Sequence, residues 1–263
     1  MTTMTAALTD SATMLRRNLR HMLRYPSMTV LLIGMPIVFL LLFVYVFGGT
    51  LGNGLGQASG GRSAYLEYVV PGILMTTVAA VAQGTAISVA MDMTEGIIAR
   101  FRTMAIARVS VLTGHVLGAV VQTVLAVGVV LGVAVAIGYR PDATPLEWLA
   151  LAGVFAMVGF ALTWLSVALG MVSKTVEAAS NLPMPLLLLP FLGSAFVPVD
   201  SMPVGLRWFA EYQPFTPIIE TVRGLANGTG IGHAAVESIA WSAGIALLGY
   251  LWSKRLYARD PVR

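Results

Sequence analysis

The stretch MTVLLIGMPIVFLLLFVYVF, residues 28–47, contains no charged residue. About 20 consecutive apolar residues are enough for an α-helix to cross the hydrocarbon core of a bilayer. The run is too long for the apolar region of a secretory signal peptide, and no small-residue cleavage site follows it. It therefore predicts a retained membrane-spanning helix, and an all-α integral membrane protein around it.

The composition of the whole chain agrees with a membrane environment. Of its 263 residues, 57% are apolar and 11% are charged, whereas soluble domains carry about 25% charged residues. So few charges cannot cover the surface of a soluble globule of this size. The chain has no cysteine, and its three histidines do not have metal-ligand spacing, so disulfides and a metal site are not expected.

Five further apolar stretches follow the first one along the chain. We predict six spans in a single transmembrane domain over residues 1–263, at about residues 28–48, 66–90, 112–138, 148–172, 180–199 and 232–252. An even number of spans places both termini on the same side. If that side is cytoplasmic, the inner segments hold 12 of the 16 Lys and Arg residues and the outer segments hold 4. Because positive residues are retained in the cytoplasm, both termini are expected there.

The chain carries no catalytic motif. A phosphate-binding loop needs the pattern G-x-x-x-x-G-K-[ST], but Ser173-Lys174-Thr175 has glycine at neither required position before it. The interiors of the predicted spans are also nearly free of ionisable groups, whereas proton-driven or ion-driven carriers usually need carboxylates or histidines there. We therefore expect no enzyme activity and no cofactor in this chain, and an energy source outside it.

A basic amphipathic helix is predicted at residues 11–25. At helical spacing, its apolar and basic side chains fall on opposite halves of the wheel, as in helices that lie in the headgroup layer. Pro26 ends this helix before the first span. The alternative is a positively charged flank that only fixes orientation. The basic residues of the segment are Arg16, Arg17, Arg20 and Arg24.

The sequence EGIIARFRTMAIARVS, residues 95–110, places charges between two apolar spans. At helical spacing, Ile97, Ile98, Phe101 and Met104 form one face, and most of the charged residues lie opposite. We predict a helix over residues 92–110 at the inner membrane surface. It either docks a cytosolic partner through its charges or only fixes the orientation of the neighbouring spans.

A long external segment, residues 198–230, is interrupted by prolines, and neither intervening piece, 206–212 or 216–225, is long enough to span. Its aromatic residues suit the membrane interface. We expect two half-helices within residues 204–226 that re-enter the membrane, which is allowed where they are buried in protein. The alternative is an outer loop on the headgroups. Glu220 and Arg223 are three apart and are expected to pair.

Two motifs resemble a known family. The first, EGIIARFRTMAIARVSVLTGHVLG at residues 95–118, is similar to the cytoplasmic segment of type-2 ABC exporter permeases of the daunorubicin and multidrug resistance branch. The second, LPFLGSAFVPVDSMPVGLRWFAEYQPFTPIIETVRGLANG at residues 189–228, resembles the end signature of that branch. The family usually has proline where this chain has Ala105, which affects the expected turn after Met104.

The resemblance implies a half-transporter of six helices in the bacterial cell (plasma) membrane. It would pair with a second permease, either a copy of itself or a sister chain, and with two ABC ATPase subunits that bind ATP and magnesium. No nucleic-acid partner is expected. The residues implied to contact the ATPase are Glu95, Gly96, Arg100, Phe101, Arg102 and Arg108.

The resemblance also implies a pathway and an outer gate. The second and fifth spans would face the partner permease, so their polar and apolar side chains are candidates for contacting cargo. These pathway candidates are Thr76, Thr77, Gln83, Thr85, Ser88, Asn181, Met184, Phe191 and Phe196. The candidates for an external gate are Pro214, Phe215, Thr216, Pro217, Glu220 and Arg223.

Three functions remain open at this point. The first is ATP-driven export of a hydrophobic or amphipathic compound, such as a drug, antibiotic or lipid. The second is export of a lipid-linked glycan or cell-envelope lipid, which would favour a more aromatic and polar path than this chain offers. The third is a membrane scaffold or immunity protein that recruits partners without transport.

Overall fold

The computed structural model describes residues 13, 15–16, 26–54, 61–96 and 108–258. Within these residues all regular secondary structure is helical. In chain order the α-helices are α1 (Pro26–Leu42), α2 (Gly48–Asn53), α3 (Arg62–Thr94), α4 (Arg108–Ala136), α5 (Pro145–Val172), α6 (Val176–Asn181), α7 (Met184–Leu188), α8 (Val204–Tyr212), α9 (Phe215–Ala226) and α10 (Ala234–Ala258).

Among the described residues, five helical stretches are long enough and apolar enough to cross a membrane. The first runs from α1 through a π-helical turn, Phe43–Phe47, into α2. The other four are α3, α4, α5 and α10. The prediction of an all-helical membrane protein is therefore confirmed.

The fifth predicted span, residues 180–199, is not one continuous helix. The chain forms α6, then α7, then a 3₁₀ turn at Leu189–Leu192. Pro183 and Pro190 fall at the breaks, and because proline has no backbone N–H it interrupts the hydrogen-bond ladder of a helix. The apolar helical segment Val176–Leu192 is shorter than a span, so the number of six spans stays a prediction.

Several helix boundaries differ from the predicted ones, including those on both sides of the predicted cytoplasmic segment. Helix α3 continues to Thr94, past the predicted end of the second span at residue 90, and α4 already begins at Arg108. The first and last residues of the predicted helix 92–110 therefore belong to these two long helices. Residues 97–107 lie outside the described residues, as does most of the predicted helix 11–25.

Helix α3 lies at the centre of the subunit. It contacts α1, α4, α5, α6 and α9, and 83% of its most apolar 18-residue window is buried. Helix α3 is apolar on all sides, but so are α1 and α10, which are much less buried, so its apolar sequence alone does not account for its central position. By comparison, only 5 of the 25 residues of α10 are buried, and α4 is intermediate between α3 and α10.

Close helix contacts depend on glycine. A Cβ atom at Gly170 of α5 would lie 2.5 Å from the carbonyl oxygen of Ala86 in α3. A Cβ atom at Gly249 of α10 would lie 2.5 Å from the backbone nitrogen of Leu165 in α5. Small residues at such positions let two helix backbones approach closely, which is how helices associate in lipid.

Replacing Gly249 with alanine is expected to lower the free energy of unfolding by about 1–3 kcal/mol, because the added methyl group would overlap backbone atoms of α5 and push α10 outward. The matched control is Gly244→Ala in the same helix, where nothing lies within 4 Å of the added atom. That variant is expected to be neutral or slightly stabilising. Thermal unfolding of both variants in detergent tests this, and equal effects would contradict the packing explanation.

Candidate functional site

The two external half-helices have different surroundings. In α9, 10 of its 12 residues are buried, and the helix contacts α3, α5 and α10. In α8, only Ala210 is buried, whereas Trp208 and Tyr212 are 66% and 65% exposed. Helix α9 is therefore enclosed by spanning helices, which is the condition for a helix that re-enters the membrane. Re-entry itself stays a prediction.

The turn between α8 and α9 is held by side-chain hydrogen bonds. The Gln213 side chain accepts a hydrogen bond from the Phe215 backbone N–H at 3.1 Å and donates one to the Thr216 hydroxyl at 3.1 Å. Thr216 in turn donates to the Ala210 carbonyl oxygen at 2.6 Å. Gln213 thus satisfies one of the free N–H groups at the start of α9. A Cβ atom at position 193 would overlap the Gln213 Nε2 and Thr216 Oγ1 atoms, so any larger residue than Gly193 would have to displace this hydrogen-bonded pair.

Arg223 of α9 connects three parts of the structure. Its Nη1 atom lies 2.6 Å from Glu220 Oε1, so the predicted pairing of these residues is confirmed. Its Nη2 atom donates to the backbone carbonyls of Ser194 at 2.7 Å and Tyr68 at 3.2 Å. The guanidinium also lies 4.0 Å from the centre of the Tyr68 ring. The side chain is 13% exposed, so Arg223 ties α9 to α3 and to the segment after α7.

All six predicted gate residues lie at the start of α9 or along it. Pro214 precedes the helix, Phe215, Thr216 and Pro217 form its first turn, and Glu220 and Arg223 follow. The structure therefore brings them together in one buried element, and a gate role for them stays a prediction.

In α8, by contrast, Arg207 is exposed, and its hydrogen bond to Glu211 together with Asp200 raises the pKa of Arg207.

The pathway candidates of α3 point mostly into the protein. Thr76, Thr77 and Thr85 are buried. The hydroxyls of Thr76 and Thr77 both donate to the Ile73 carbonyl oxygen, within α3 itself. Thr85 donates to the Val81 carbonyl and Ser88 to the Gly84 carbonyl in the same helix. These polar groups are therefore satisfied without cargo. A role in transport for them stays a prediction.

Gln83 differs from these residues because it reaches another element. Its Nε2 atom donates to the backbone carbonyl of Ser180 at 2.6 Å. Helix α6 ends at Asn181, so this carbonyl is one of the last four of the helix, which have no partner within it. Gln83 therefore holds the end of α6 against α3, beside the exposed candidates Asn181 and Met184.

Replacing Gln83 with alanine is expected to lower the free energy of unfolding by about 1 kcal/mol, because the Ser180 carbonyl loses its donor. The control is Gln122→Ala in α4, where the glutamine donates to the Thr29 hydroxyl at the longer distance of 3.4 Å. The control should lose less, because hydrogen bonds weaken at that distance. Thermal unfolding and amide exchange in α6 measure both, and equal losses would contradict this role of Gln83.

Phe191 and Phe196 belong to an aromatic cluster that also contains Phe39 and Phe43 of the first span. The rings of Phe191 and Phe196 are stacked with centroids 4.4 Å apart, and Phe43 lies 4.5 Å from Phe196. The cluster includes Phe43, the first residue of the π-helical turn, a feature often found at functional sites. Sequence reasoning missed Phe39 and Phe43, although their spacing of four residues places them on one helical face.

The end of α3 that is predicted to be cytoplasmic is formed by the Glu-Gly pair of the first motif. The Glu95 and Gly96 N–H groups donate to the carbonyls of Met91 and Met93. Gly96 has a φ of +69°, the left-handed conformation in which helices commonly end and which glycine adopts without strain. Glu95 is exposed. The pair thus terminates α3 and presents a carboxylate at the start of the connecting segment.

The other predicted coupling residues are described only in part. Arg108 is the first residue of α4, whereas Arg100, Phe101 and Arg102 lie outside the described residues. The same holds for Arg17, Arg20 and Arg24 of the predicted interfacial helix. Arg16 is described, with helical backbone and an exposed side chain.

One buried pair was missed by sequence reasoning. Asp92 Oδ2 in α3 lies 3.0 Å from His115 Nε2 in α4, and the two side chains are 12% and 6% exposed. Asp92 follows the predicted end of the second span at residue 90 and was covered only by the predicted helix 92–110. The extension of α3 to Thr94 instead places it inside the helix.

Comparison with known proteins agrees with the two motifs. The family model for ABC-2 type transporters matches residues 10–226. A daunorubicin resistance ABC transporter permease protein of Streptomyces coeruleorubidus is 27% identical over 252 residues, which cover 95% of this chain and 87% of that protein. A "Probable doxorubicin resistance ABC transporter permease protein" of Mycobacterium tuberculosis is 24% identical over 243 residues, which cover 92% of this chain and 87% of that protein.

The family model covers well over half of the chain, from before the first span to the end of α9. The relatives align over almost all of it. The helical membrane architecture described above is consistent with this match. The chain therefore belongs to the ABC-2 type transporter family, as a membrane-spanning permease.

Proposed function

We propose that this chain is the permease subunit of an ATP-driven exporter that moves a hydrophobic or amphipathic compound out of the cytoplasm or the inner leaflet. The observation that carries the proposal is the similarity, over 92% or more of this chain, to permeases named for daunorubicin and doxorubicin resistance. The cargo belongs to the class of drugs, antibiotics or lipids.

The aromatic cluster supports a cargo of this chemistry. Phe39 and Phe43 belong to the first span, and Phe191 and Phe196 belong to the 3₁₀ turn after α7 and the residues that follow it. Aromatic rings attract flat apolar molecules by stacking and by burial of apolar area. Phe191 and Phe196 were predicted as pathway residues, and the cluster adds two neighbours to them.

The proposed complex contains two ABC ATPase subunits and a second permease, which is either another copy of this chain or a sister chain. An ABC ATPase partner and a membrane are implied by the family itself. ATP and magnesium bind to the ATPase subunits. Both termini of the permease lie in the cytoplasm, in the cell membrane of a bacterium, and the residues from Glu95 to Arg108 contact the ATPase there.

The proposed transport cycle uses the helices flanking this contact. ATP-driven closure of the two ATPases displaces the segment between α3 and α4. Since α3 packs against most of the subunit, its displacement shifts the other spans and opens the path between the permeases outward. Helix α9, which is pinned by Arg223, closes that path from outside.

The test is to express the chain with the ATPase encoded beside it, purify the complex into lipid nanodiscs and measure ATP hydrolysis with and without daunorubicin. The proposal expects a stable complex whose hydrolysis changes with the drug, and ATP-dependent drug movement in proteoliposomes. A complex that hydrolyses ATP without any response to hydrophobic drugs, together with accumulated lipid-linked intermediates in a deletion strain, would favour glycan or envelope-lipid export instead.

A scaffold function makes a different prediction in the same preparation. A spin-label distance across the outer segments of the two permeases would not change with ATP. A nucleotide-dependent change in that distance therefore excludes a scaffold, and a constant distance contradicts the proposed exporter. An ATPase-deficient partner subunit serves as the control for nucleotide binding without turnover.

A further inference from the structure

The buried pair of Asp92 and His115 lies at the ends of the two helices that flank the cytoplasmic segment. Asp92 is three residues from the C-cap of α3, Glu95, and His115 is seven residues after the start of α4. The hydrogen bond between them, 3.0 Å long, therefore closes the loop that carries the motif from Glu95 to Arg108. The bond thus joins the last turn of α3 to the beginning of α4, two turns after α4 starts.

Buried apolar side chains lie within one helical turn of both members of the pair. Val89, one turn before Asp92, and Leu112 and Val116, which flank His115, belong to one buried cluster. The same cluster includes Trp164 of α5 and Tyr257 of α10. A buried ionisable pair in apolar surroundings is often no more stabilising than an apolar pair of similar volume. Stability alone therefore does not account for this pair.

A hydrogen bond differs from apolar packing because it has direction. Apolar side chains tolerate sliding and rotation of one helix against another, whereas breaking the contact between Asp92 and His115 leaves a buried polar group without its partner. The pair therefore fixes the position of α3 relative to α4 along the helix axes, and the rotation of each helix about its axis. This matters because α3 is buried at the centre of the subunit and α4 is much less buried than α3.

We propose that the Asp92–His115 hydrogen bond is a positioning pair that makes α3 and α4 move as one unit when the segment between them is displaced. The proposal rests on the proposed function, in which an ATPase displaces that segment. Without the pair, the displacement would bend α4 alone at the exposed side of the subunit. ATP would then be hydrolysed without moving α3 and the spans packed on it.

The decisive variant is Asp92→Ala combined with His115→Leu, which removes the hydrogen bond together with both ionisable side chains and roughly conserves the total volume. We expect the complex to unfold near the wild-type temperature and to hydrolyse ATP, but to transport at least about tenfold less cargo for each ATP. The control Asp92→Asn keeps an acceptor for His115 and is expected to keep the wild-type ratio of transport to hydrolysis. A purely structural role would leave this ratio unchanged in the double variant, and that result would overturn the proposal.

A distance measurement in the wild-type pair keeps the proposal testable if the double variant does not fold. The chain has no cysteine, so Met91→Cys in α3 and Leu117→Cys in α4, both exposed positions, accept spin labels directly. We expect the distance between these labels to stay constant between nucleotide-free and ATP-bound complexes, while the distance from position 117 to an exposed position of α10, Leu247, changes. A change between positions 91 and 117 would overturn the proposal. Constancy of both distances would contradict the proposed function, and the role of the pair with it.

Discussion

Replacing Arg223 with alanine is expected to lower the free energy of unfolding by about 2–4 kcal/mol, which makes it the most destabilising single change we predict. The guanidinium donates to the carbonyls of Ser194 and Tyr68, pairs with Glu220 and lies over the Tyr68 ring. Its removal takes the side-chain donor from the Ser194 carbonyl, which lies in a turn outside any helix, and from the Tyr68 carbonyl of α3. An unsatisfied buried carbonyl costs more than the hydrogen bond contributes when it is made.

The consequence for transport follows from which elements Arg223 connects. The segment from Ser194 to Phe196 is held against α3 by Arg223 and by the Tyr65 hydroxyl, which donates to the Phe196 carbonyl at 3.2 Å. Without Arg223, this segment and α9 lose their common anchor. We therefore expect ATP-dependent drug transport to fall together with thermal stability.

The control for Arg223 is Arg207→Ala in the neighbouring helix α8. Arg207 is also an arginine with two acidic partners, Asp200 and Glu211, but its side chain is 44% exposed and its partners are exposed. Exposed ion pairs contribute little to stability, so this variant should unfold at the wild-type temperature. Arg223→Lys keeps the charge but cannot reproduce the forked geometry, and it should rescue only part of the loss. The interpretation fails if the alanine variants at 223 and 207 behave alike.

Reversing the charge at Arg100 and Arg102 together, to glutamate, is expected to reduce transport to background in the complex with its ATPase. On the proposed function these arginines face acidic groups of the ATPase, and like charges placed opposite each other in an interface cost several kcal/mol. The permease should still fold and insert, and the ATPase should still hydrolyse ATP. The measurement is the ratio of drug transported to ATP hydrolysed in proteoliposomes.

The control for charge reversal is Lys254→Glu combined with Arg255→Glu at the end of α10. Both residues are exposed, and both lie on the side of the membrane predicted to be cytoplasmic. This variant changes the net charge, and the charge difference between the two sides of the membrane, by the same amount as the reversal at Arg100 and Arg102. A loss of transport seen only at Arg100 and Arg102 therefore reflects the ATPase contact and not membrane insertion. Transport that survives the reversal at Arg100 and Arg102 would contradict the coupling role.

At the end of α3, the sequence pattern predicted one feature and missed another. The Glu-Gly pair at residues 95 and 96 was identified from the sequence as the start of the cytoplasmic segment, and the structure places a left-handed glycine there that ends the helix. The extension of the helix past residue 90 was not predicted, because Asp92 reads as a surface residue in any hydropathy window. Its burial depends on His115, which is 23 residues away.

In the interrupted helical segment Val176–Leu192, apolar composition and proline content predict different structures. Its composition is apolar enough for a span, and this signal decided the prediction for residues 180–199. The prolines at 183, 185 and 190 carried the opposite signal, and the structure follows them. The Ser180 carbonyl at the end of α6 is satisfied by Gln83, so the break is stabilised by a contact that no local pattern indicates.

The sequence by itself determined the helical membrane character and the pairing of Glu220 with Arg223. These features follow from apolar transfer free energy and from neighbours within one helical turn. Only the tertiary structure decided that α3 is central, that Arg223 also binds Ser194 and Tyr68, and that Asp92 meets His115. Such contacts depend on how helices pack, and in lipid that packing rests on shape and on individual hydrogen bonds rather than on hydropathy.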